Sequence, residues 1–330
     1  MAKRNVKILV VGSLNHNLED REFNRQTVQT LQLFDGEKFE PLSYFDDKGE
    51  QGLSSICWHE AKPFVWYYST GNDLRKIDLI SQEDTDCGVK KLNGVHEIDF
   101  LGEDLWLSNT YFNEILKIDP SGMNVLKRIK LTEGSKKVQE VKESEINPED
   151  TVRENSFHCN QIFETYEGEL FALVHHVNGE QVIKKVAQKL IKSQGNGGVM
   201  RLKDGSTIRL KLKAPHSVRK VHGDYWVFDS GHSQLNIYSK DWKPKKTVPT
   251  SGWGRGGVWS ESAQSFYAGI SRMRNRYLLF KEQKKGVNMI QVFNAQAELV
   301  DQVEVPNIDQ VNNLYEISDQ QHEYLRGLGR

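Results

Sequence analysis

The stretch "APHSVRKVHGDYWVFDSGHSQLNIYS", residues 214–239, overlays "GVHEIDFLGEDLWLSNTYFNEILKID", residues 94–119, without a gap. The overlay aligns His96 with His216 and places a tryptophan at the same point of both copies. Self-similarity of this kind is the signature of a repeated supersecondary unit. Each copy reads as a strand, a tight turn, an apolar strand, a polar loop and a third alternating strand. The pattern predicts an antiparallel β-meander, the blade of a β-propeller.

Weaker copies of the same template recur along the chain and predict six blades. Copies open near Ser54, Asn160 and Gly256, and "NNLYEISDQ" from Asn312 supplies a single C-terminal strand. Three N-terminal segments, "VKILVVGSLNHN", "TVQTLQLFDG" and "FEPLSYFDD", supply the other strands of the sixth blade. Such closure removes exposed sheet edges. We therefore predict an all-β chain, a single six-bladed β-propeller domain over residues 1–330, closed by one C-terminal and three N-terminal strands.

Composition limits the classes of function. The 330 residues carry a formal net charge of −1, so the basic surface typical of a nucleic-acid-binding protein is missing and we expect no such partner. No stretch has the length of a transmembrane helix, and the apolar part of the N-terminal stretch is too short for a secretory signal. We expect no membrane association and a cytoplasmic location. Three cysteines, an odd number without metal-type spacing, fit reduced thiols in that compartment.

Two inserts interrupt the repeat. Residues 133–156 are mostly charged and polar, and they fit either a solvated loop with one short helix or a lid over a neighbouring site. Residues 177–198 carry apolar side chains at the spacing of an amphipathic helix, which predicts a short helical insert. Those side chains are Val182, Ile183, Val186, Leu190 and Ile191. An Asp-Gly turn at residues 204–205 then predicts a return to the sheet through a hairpin.

The first strand of every predicted blade lines the central channel, and the residues that begin these strands ring its entrance. The ring positions are Ser54, His96, Asn160, His216, Gly256 and Asn312. His158 precedes its ring position by two residues, and residues two apart on a strand share a face. Three imidazoles, from His96, His158 and His216, are therefore predicted to converge.

Converging histidines are typical of a metal site. Three histidine ligands with one open position are a known arrangement for catalytic zinc, and imidazole also suits other transition metals. We expect a divalent metal, zinc, manganese or iron, bound by His96, His158 and His216. Two other interpretations stay open: each ring hydrogen-bonds a backbone carbonyl of the next blade, or it contacts the ligand and transfers protons without a metal.

Further polar residues lie in the predicted loops at the same face. His175 and His232 are candidates for proton transfer, beside the alternative that they are merely solvated. Arg255, set among four glycines, suits a carboxylate or phosphate group, because glycines let a ligand approach the backbone while the guanidinium reaches it. We predict catalytic roles for Arg255, His175 and His232, and substrate contacts from Arg255, Asn160, Asn312 and Arg272.

Two matching polar residues end the second strands of the aligned blades. Asn109 and Asp229 either cap the following turn through side-chain hydrogen bonds or orient an imidazole. The turn role is the one that we favour for both. Trp106, Trp226 and Phe171 are predicted core residues, and Cys159 is predicted to pack as an apolar side chain.

Several blocks resemble a family of uncharacterised bacterial propeller proteins. They are "HEIDFLGEDLWLSNTYFNEILKID", "FHCNQ", "GGVMRL", "PHSVRKVHGDYWVFDSGHSQL" and "GRGG". The family's blocks, His-Asp/Glu before Trp-x-x-Asn-Thr, then Cys-His-Leu-Asn, Pro-His-Ser and Asp-Ser-Gly, occur in the same order over residues 94–275. Here the third block reads Phe-His-Cys-Asn, which keeps His158 and Asn160 and moves the cysteine. The resemblance implies a propeller and no particular activity.

More distantly, the blades are similar to those of gluconolactonase-like and virginiamycin-lyase-like propellers, whose metal sites lie at the channel mouth. The leading hypothesis is a metal-dependent lyase or hydrolase that acts on a small anionic molecule there. The first alternative is a non-catalytic propeller that binds a ligand or a protein partner through the same mouth. The second is an iron or copper redox enzyme that uses the same histidines.

Overall fold

The strands of the chain form six antiparallel sheets, as the repeat predicts. A computed structural model describes residues 6–147, 152–179, 195–273 and 286–328. The sheets are the blades of a six-bladed β-propeller. By backbone contacts the chain divides into a terminal unit, residues 1–54 and 219–330, and a middle unit, residues 55–218.

The middle unit holds the first three blades. The first blade consists of β4 (Ser55–Trp58), β5 (Val65–Ser69), β6 (Arg75–Asp78) and β7 (Glu83–Asp86). The second consists of β8 (Val95–Leu101), β9 (Asp104–Asn109), β10 (Glu114–Ile118), β11 (Val125–Leu131) and β12 (Val138–Val141). The third consists of β13 (Cys159–Glu164), β14 (Leu170–Val174), β15 (Gly197–Arg201) and β16 (Thr207–Leu212).

The remaining blades belong to the terminal unit, although the strand β17 begins in the middle unit. The fourth blade consists of β17 (Pro215–Val221), β18 (Asp224–Asp229), β19 (Gln234–Ser239) and β20 (Pro244–Pro249). The fifth consists of β21 (Trp253–Ser260), β22 (Ser265–Ser271), β23 (Met289–Asn294) and β24 (Leu299–Glu304). The sixth pairs β25 (Gln310–Glu316) with β1 (Ile8–Ser13), followed by β2 (Leu31–Phe34) and β3 (Phe39–Pro41). This confirms the predicted closure by one C-terminal and three N-terminal strands.

Position within a blade decides the character of each strand. The second strands β14, β18 and β22 are almost wholly buried, because the blade's other strands flank them and other elements cover their faces. The outer strand β20, "PKKTVP", is mostly exposed. Its prolines and lysines suit a sheet edge, where an unpaired backbone otherwise invites further strand pairing. The predicted core residues Trp106, Trp226 and Phe171 are buried.

The two inserts differ from simple loops where the structure describes them. Part of the charged insert, β12, adds a fifth strand to the second blade by pairing with β11. A 3-10 turn, η4 (Glu143–Glu145), follows it. Of the predicted helical insert, residues 180–194 lie outside the described residues, and Gly197 and Gly198 belong to β15 rather than to a helix. The predicted Asp-Gly turn joins β15 to β16, with Gly205 at a φ of 72°.

A C-terminal helix, α1 (Asp319–Leu328), follows the last strand and is absent from the sequence-based prediction. It buries Gln321, His322 and Leu325, and Arg326 forms an ion pair with Glu40 at 2.7 Å. In the part of the chain that the structure describes, no helix is both long enough and apolar enough to cross a membrane.

A buried ion pair ties the strands of the second blade together. The guanidinium of Arg128, fully buried, donates to Glu114 at 2.6 Å and to Glu143 at 2.6 Å. Burial by itself lowers the pKa of Arg128, but the hydrogen bonds and charges of the two carboxylates outweigh it and raise that pKa above its usual value. Removing one partner of such a pair leaves a buried charge without compensation.

We therefore expect Arg128→Met to lower the free energy of unfolding by about 3 kcal/mol. The neighbouring exposed pair Lys127–Glu140, with N to O at 2.9 Å, provides the control, since Lys127→Met at an exposed pair is expected to change stability by less than about 1 kcal/mol. Urea denaturation followed by circular dichroism measures both. Equal effects of the two substitutions would contradict the structural role of Arg128.

Candidate functional site

Four histidine side chains of the middle unit lie against one another, and we call them the histidine cluster: His96, His158, His175 and His216. The ring centroids of His96 lie 5.1 Å from His158 and 6.3 Å from His216. Those of His175 lie 4.1 Å from His158 and 5.6 Å from His216. The structure thus brings together the three predicted metal ligands and one of the predicted catalytic histidines.

The rings of His96 and His216 are held by the same local hydrogen bond. In each case Nδ1 lies near the backbone carbonyl oxygen two residues earlier, at 2.8 Å for Gly94 and 3.0 Å for Ala214. Both of these residues have a left-handed backbone, with φ of 68° and 49°. A carbonyl oxygen only accepts, so the ring proton is on Nδ1, and in the neutral imidazole the lone pair is on Nε2.

The carbonyl oxygen that faces each Nδ1 belongs to the residue two positions earlier. The interaction fixes the ring's orientation and tautomer. It is the kind of contact that holds an imidazole in place for catalysis or metal binding. The alternative of a ring hydrogen bond to a carbonyl of the next blade stays a prediction.

His158 is held differently. It lies just before β13 with a φ of 49°, a left-handed conformation that is uncommon for residues other than glycine. Its Nδ1 lies 2.8 Å from Oδ1 of Asn155. Strained backbone of this kind persists only where the surrounding structure enforces it, and it is concentrated at functional sites. Asn155 was not among the predicted site residues.

Asn160 fixes the fourth ring. Its Nδ2 lies 2.7 Å from the carbonyl oxygen of Pro215, which requires a donor, and 2.8 Å from Nε2 of His175. Nε2 of His175 therefore accepts a hydrogen bond, and the proton of the neutral ring is on Nδ1. The other amide atom, Oδ1 of Asn160, is buried and has no hydrogen-bond partner among the described residues.

Register shifts mark the ring positions at the heads of several first strands. His96 and Glu97 together oppose one residue of β9, and Asn160 is skipped in the pairing of β13 with β14. The same occurs at Arg255 between β21 and β22 and at Asn312 between β25 and β1. A β-bulge inserts an extra residue and re-aims its side chain. The sequence template located three of these positions, placed the fifth-blade ring position at Gly256, one residue after the bulge, and did not predict the bulges.

Hydroxyl groups lock the second blade to the third behind the rings. Oγ1 of Thr110 donates to the carbonyl oxygen of Cys159 at 2.6 Å and lies 3.2 Å from Nδ1 of His96. Oγ of Ser108 donates to the carbonyl oxygen of Asn160 at 3.3 Å. The strands that carry His96 and His158 are therefore fixed relative to each other.

Metal coordination remains a prediction. Among the residues that the structure describes, no group of three or more histidine, cysteine, aspartate or glutamate side chains is placed to hold a metal ion. The donor chemistry nevertheless fits a divalent metal, because His96 and His216 present Nε2 lone pairs while their Nδ1 protons are held by oxygen. Cys159 is buried, as predicted, and burial raises its pKa to about 12.

The other predicted site residues lie in the terminal unit. Nη1 of Arg255 donates to Oε1 of Gln310 at 2.5 Å and to Oδ1 of Asn312 at 2.7 Å. These two amides orient the guanidinium. Gln310 was not predicted, and only the pairing of β25 in the sixth blade explains its position.

Arg272 is engaged by carboxylates. It forms ion pairs with Glu22 and, at 3.1 Å, with Asp309. Burial raises the pKa of Asp309 above its ordinary value, although hydrogen bonds and the charge of Arg272 oppose this. These ion pairs are sufficient to compensate the buried charge of Arg272 when no substrate is bound. The predicted contact between Arg272 and the substrate stays a prediction.

The two matching polar residues at the ends of second strands have separate roles. Oδ2 of Asp229 lies 2.7 Å from Nδ1 of the predicted catalytic His232, so this carboxylate orients an imidazole. Asn109 accepts from the backbone N–H of Asn93 at 2.8 Å and donates to the carbonyl oxygen of Lys91, so it holds a loop. Neither side chain caps the turn that follows it, so the favoured turn role is wrong for both. Asn109 holds the loop before β8, and Asp229 contacts a histidine.

Comparison with known proteins supports the fold. No protein-family model matches the sequence, and no curated protein sequence matches it either. Among solved structures, a protein of unknown function from Bacteroides caccae matches with a TM-score of 0.57 at 12% identity, over 96% of this chain and 100% of its own. A luciferin-regenerating enzyme matches with a TM-score of 0.50 at 14% identity, over 79% and 78%.

Virginiamycin B lyase from Staphylococcus aureus gives a TM-score of 0.49 at 12% identity, over 77% of this chain and 70% of its own. The Bacteroides caccae protein and the luciferin-regenerating enzyme are β-propellers, in agreement with the predicted fold. At such identities the likeness shows the fold alone, since one fold hosts many unrelated functions. Membership of the uncharacterised bacterial family stays a prediction.

The hydrogen bonds of His96 and His216 make a spectroscopic prediction. At a pH where both rings are neutral, we expect the Nδ1–H tautomer in both, because a carbonyl oxygen faces each Nδ1. Long-range proton–nitrogen correlation spectra of ¹⁵N-histidine-labelled protein distinguish the two tautomers. His222, which is exposed, serves as the reference. An Nε2–H tautomer at His96 or His216 would exclude the proposed anchoring.

The cysteines allow a test of burial in the middle unit. Burial raises the pKa of Cys87 and of Cys159 to about 12 and that of Cys57 well above its usual value. Only the thiolate reacts with disulfide reagents, and a raised pKa keeps the thiol protonated until the pH nears that value. We expect no thiol to react at pH 8 in the folded protein and three to react in denaturant, measured with a chromogenic disulfide. Rapid reaction of folded protein would contradict this.

Proposed function

We propose that this chain is an enzyme, a lyase or hydrolase, that binds a small anionic molecule at the histidine cluster and reacts it there. The observation that carries the proposal is the packing of four imidazoles whose orientations are fixed by oxygen or amide partners. Side chains that merely fill space need no such fixed tautomers. A proton-transfer site does, because the atom that gives or takes the proton must be defined.

Imidazoles suit an anionic substrate for a simple reason. Imidazole is the side chain that changes charge near neutral pH, so a group of them binds an anion when one ring is protonated. His216 is buried, whereas the other three rings are half-buried. This combination favours a site that is reachable from outside and partly screened from water at its base, where electrostatic interactions are stronger.

The tautomers suggest a division of labour. His96 and His216 present the Nε2 lone pair, so each is suited to accept a proton. His175 has its Nε2 occupied by the amide of Asn160 and therefore carries its proton on Nδ1, which suits it to donate a hydrogen bond to the substrate. A proton acceptor beside a hydrogen-bond donor suits general-base chemistry on a single substrate.

We further propose that His96, His158 and His216 hold a divalent metal ion, zinc, manganese or iron. A bound metal supplies a Lewis acid or an activated water. The imidazole donors fit such an ion, and uptake would require their side chains to adjust. Copper in the purified protein would favour the redox alternative, whereas iron is compatible with both.

Substitution of the cluster tests the proposal. We expect protein purified without imidazole to contain about one metal ion per chain. His96→Ala and His216→Ala each remove one of three ligands and the double variant removes two, so we expect the metal to be lost from all three variants. Elemental analysis by mass spectrometry measures the metal, and circular dichroism verifies folding. The control is His222→Asn, which removes an exposed histidine at a φ of 48° that asparagine tolerates.

The outcomes separate the parts of the proposal. Full metal content in the folded double variant would overturn the metal site. A protein without metal whose binding of inorganic phosphate is abolished in His96→Ala and His216→Ala would keep the anion site and remove the metal from it. Phosphate binding that is unchanged in every cluster variant would overturn the proposed function itself.

A further inference from the structure

An aromatic ring borders the histidine cluster from the loop after β9. Tyr111 belongs to the 3-10 turn η3 (Thr110–Phe112), and its ring centroid lies 6.5 Å from that of His158. The ring lies against Gly94, where a Cβ atom would come within 2.4 Å of Tyr111 Cδ2. Only glycine at position 94 leaves room for the ring, and the same Gly94 holds the imidazole of His96 through its carbonyl oxygen.

A cation lies on this ring. Cζ of Arg153 is 5.0 Å from the ring centroid of Tyr111, which is a cation–π distance. Arg153 is exposed. It comes from the end of the charged insert, so one segment reaches from the insert to the edge of the cluster.

The segment around Arg153 is held in place on both sides. The backbone N–H of Glu154 donates to the carbonyl oxygen of Tyr111 at 3.0 Å, and Nζ of Lys130 pairs with Glu154 at 2.7 Å. Asn155, the next residue, contacts Nδ1 of His158 at 2.8 Å. Three consecutive residues are therefore tied to the second blade or to the cluster.

Within this segment the carboxylate of Glu154 has an ion-pair partner, whereas Arg153 has none among the described residues. Glu154, the carboxylate next in sequence, pairs with Lys130 rather than with Arg153. Among the described residues no carboxylate forms an ion pair with Arg153. Its positive charge is thus turned towards solvent at the edge of a cluster of imidazoles, and stacking on an aromatic ring restricts its position, which lowers the entropy lost on binding.

We propose that Arg153, positioned by Tyr111, is the residue that selects the charge of the substrate by binding its carboxylate or phosphate group. The planar guanidinium pairs with such groups through two parallel hydrogen bonds. The remainder of the substrate then faces the imidazoles of the cluster. This inference rests on the proposed function and names a specificity-determining residue for the same site.

Binding of inorganic phosphate and of acetate to the full chain tests the inference. Isothermal titration calorimetry gives the affinity, and the histidine spectra report whether His158 responds. We expect Arg153→Gln to weaken binding of the preferred anion about tenfold. Tyr111→Leu is expected to weaken it less, because the guanidinium keeps its charge but no longer stacks on an aromatic ring. Arg153→Lys is expected to be intermediate, since a point charge replaces the planar fork. The control is Arg209→Gln, which removes an exposed arginine of β16.

Each result has a definite reading. If His158→Gln and His216→Ala reduce anion binding while folded Arg153→Gln binds as well as the parent chain, Arg153 is not the selecting residue and the proposed function stands. If Arg153→Gln and Arg209→Gln weaken binding equally, the effect is one of net charge and the inference is wrong. If the parent chain binds neither anion at millimolar concentration, both proposals fail. A preference for phosphate over acetate, or the reverse, identifies the group that the substrate carries.

Discussion

The candidate site depends on one backbone constraint, the left-handed residue that precedes each histidine strand. At Gly94 and Ala214 this conformation turns a carbonyl oxygen back towards the imidazole two residues later. For alanine the conformation costs about 1 kcal/mol, so the surrounding blade must compensate. The carbonyl oxygen in this position fixes one orientation and one proton position for the imidazole. Acid–base or metal chemistry at the cluster requires both.

Hydroxyl hydrogen bonds between neighbouring blades stabilise the irregular backbone at the start of the first strands. Thr110 donates to the carbonyl of Cys159 in the next blade, and Ser230, its equivalent in the repeat, donates to the carbonyl of Gly254. The same position of the template is used in both units for the same purpose. A first strand whose backbone is bulged loses ladder hydrogen bonds, and a side-chain donor from the preceding blade replaces part of that loss. The packing of these neighbouring blades and the geometry of the site therefore rest on the same contacts.

The repeat also shows how one scaffold holds different chemistry. The turns η3 and η5 (Ser230–His232) have nearly the same geometry, with left-handed residues at Asn113 and Ser233, both at a φ of 53°. The first turn carries Asn109 before it, whereas the second carries Asp229 and ends in His232. Since the turn forms without the ionisable pair in the second blade, the pair is not needed to build it. Function resides in such substitutions rather than in the fold.

Strand periodicity, turn residues and a gapless repeat are local signals, so they are sufficient to predict the six blades, the closing strand, the core tryptophans and the equivalence of His96 with His216. The remaining features depend on tertiary packing. It added His175 to the predicted trio, bulged the chain at Asn160, gave Arg272 internal carboxylate partners and laid Arg153 over Tyr111. These features arise from contacts between residues distant in the chain and from backbone irregularities that leave no mark on the repeat. A pattern of residues specifies where strands run, but only packing fixes which side chains meet at their ends.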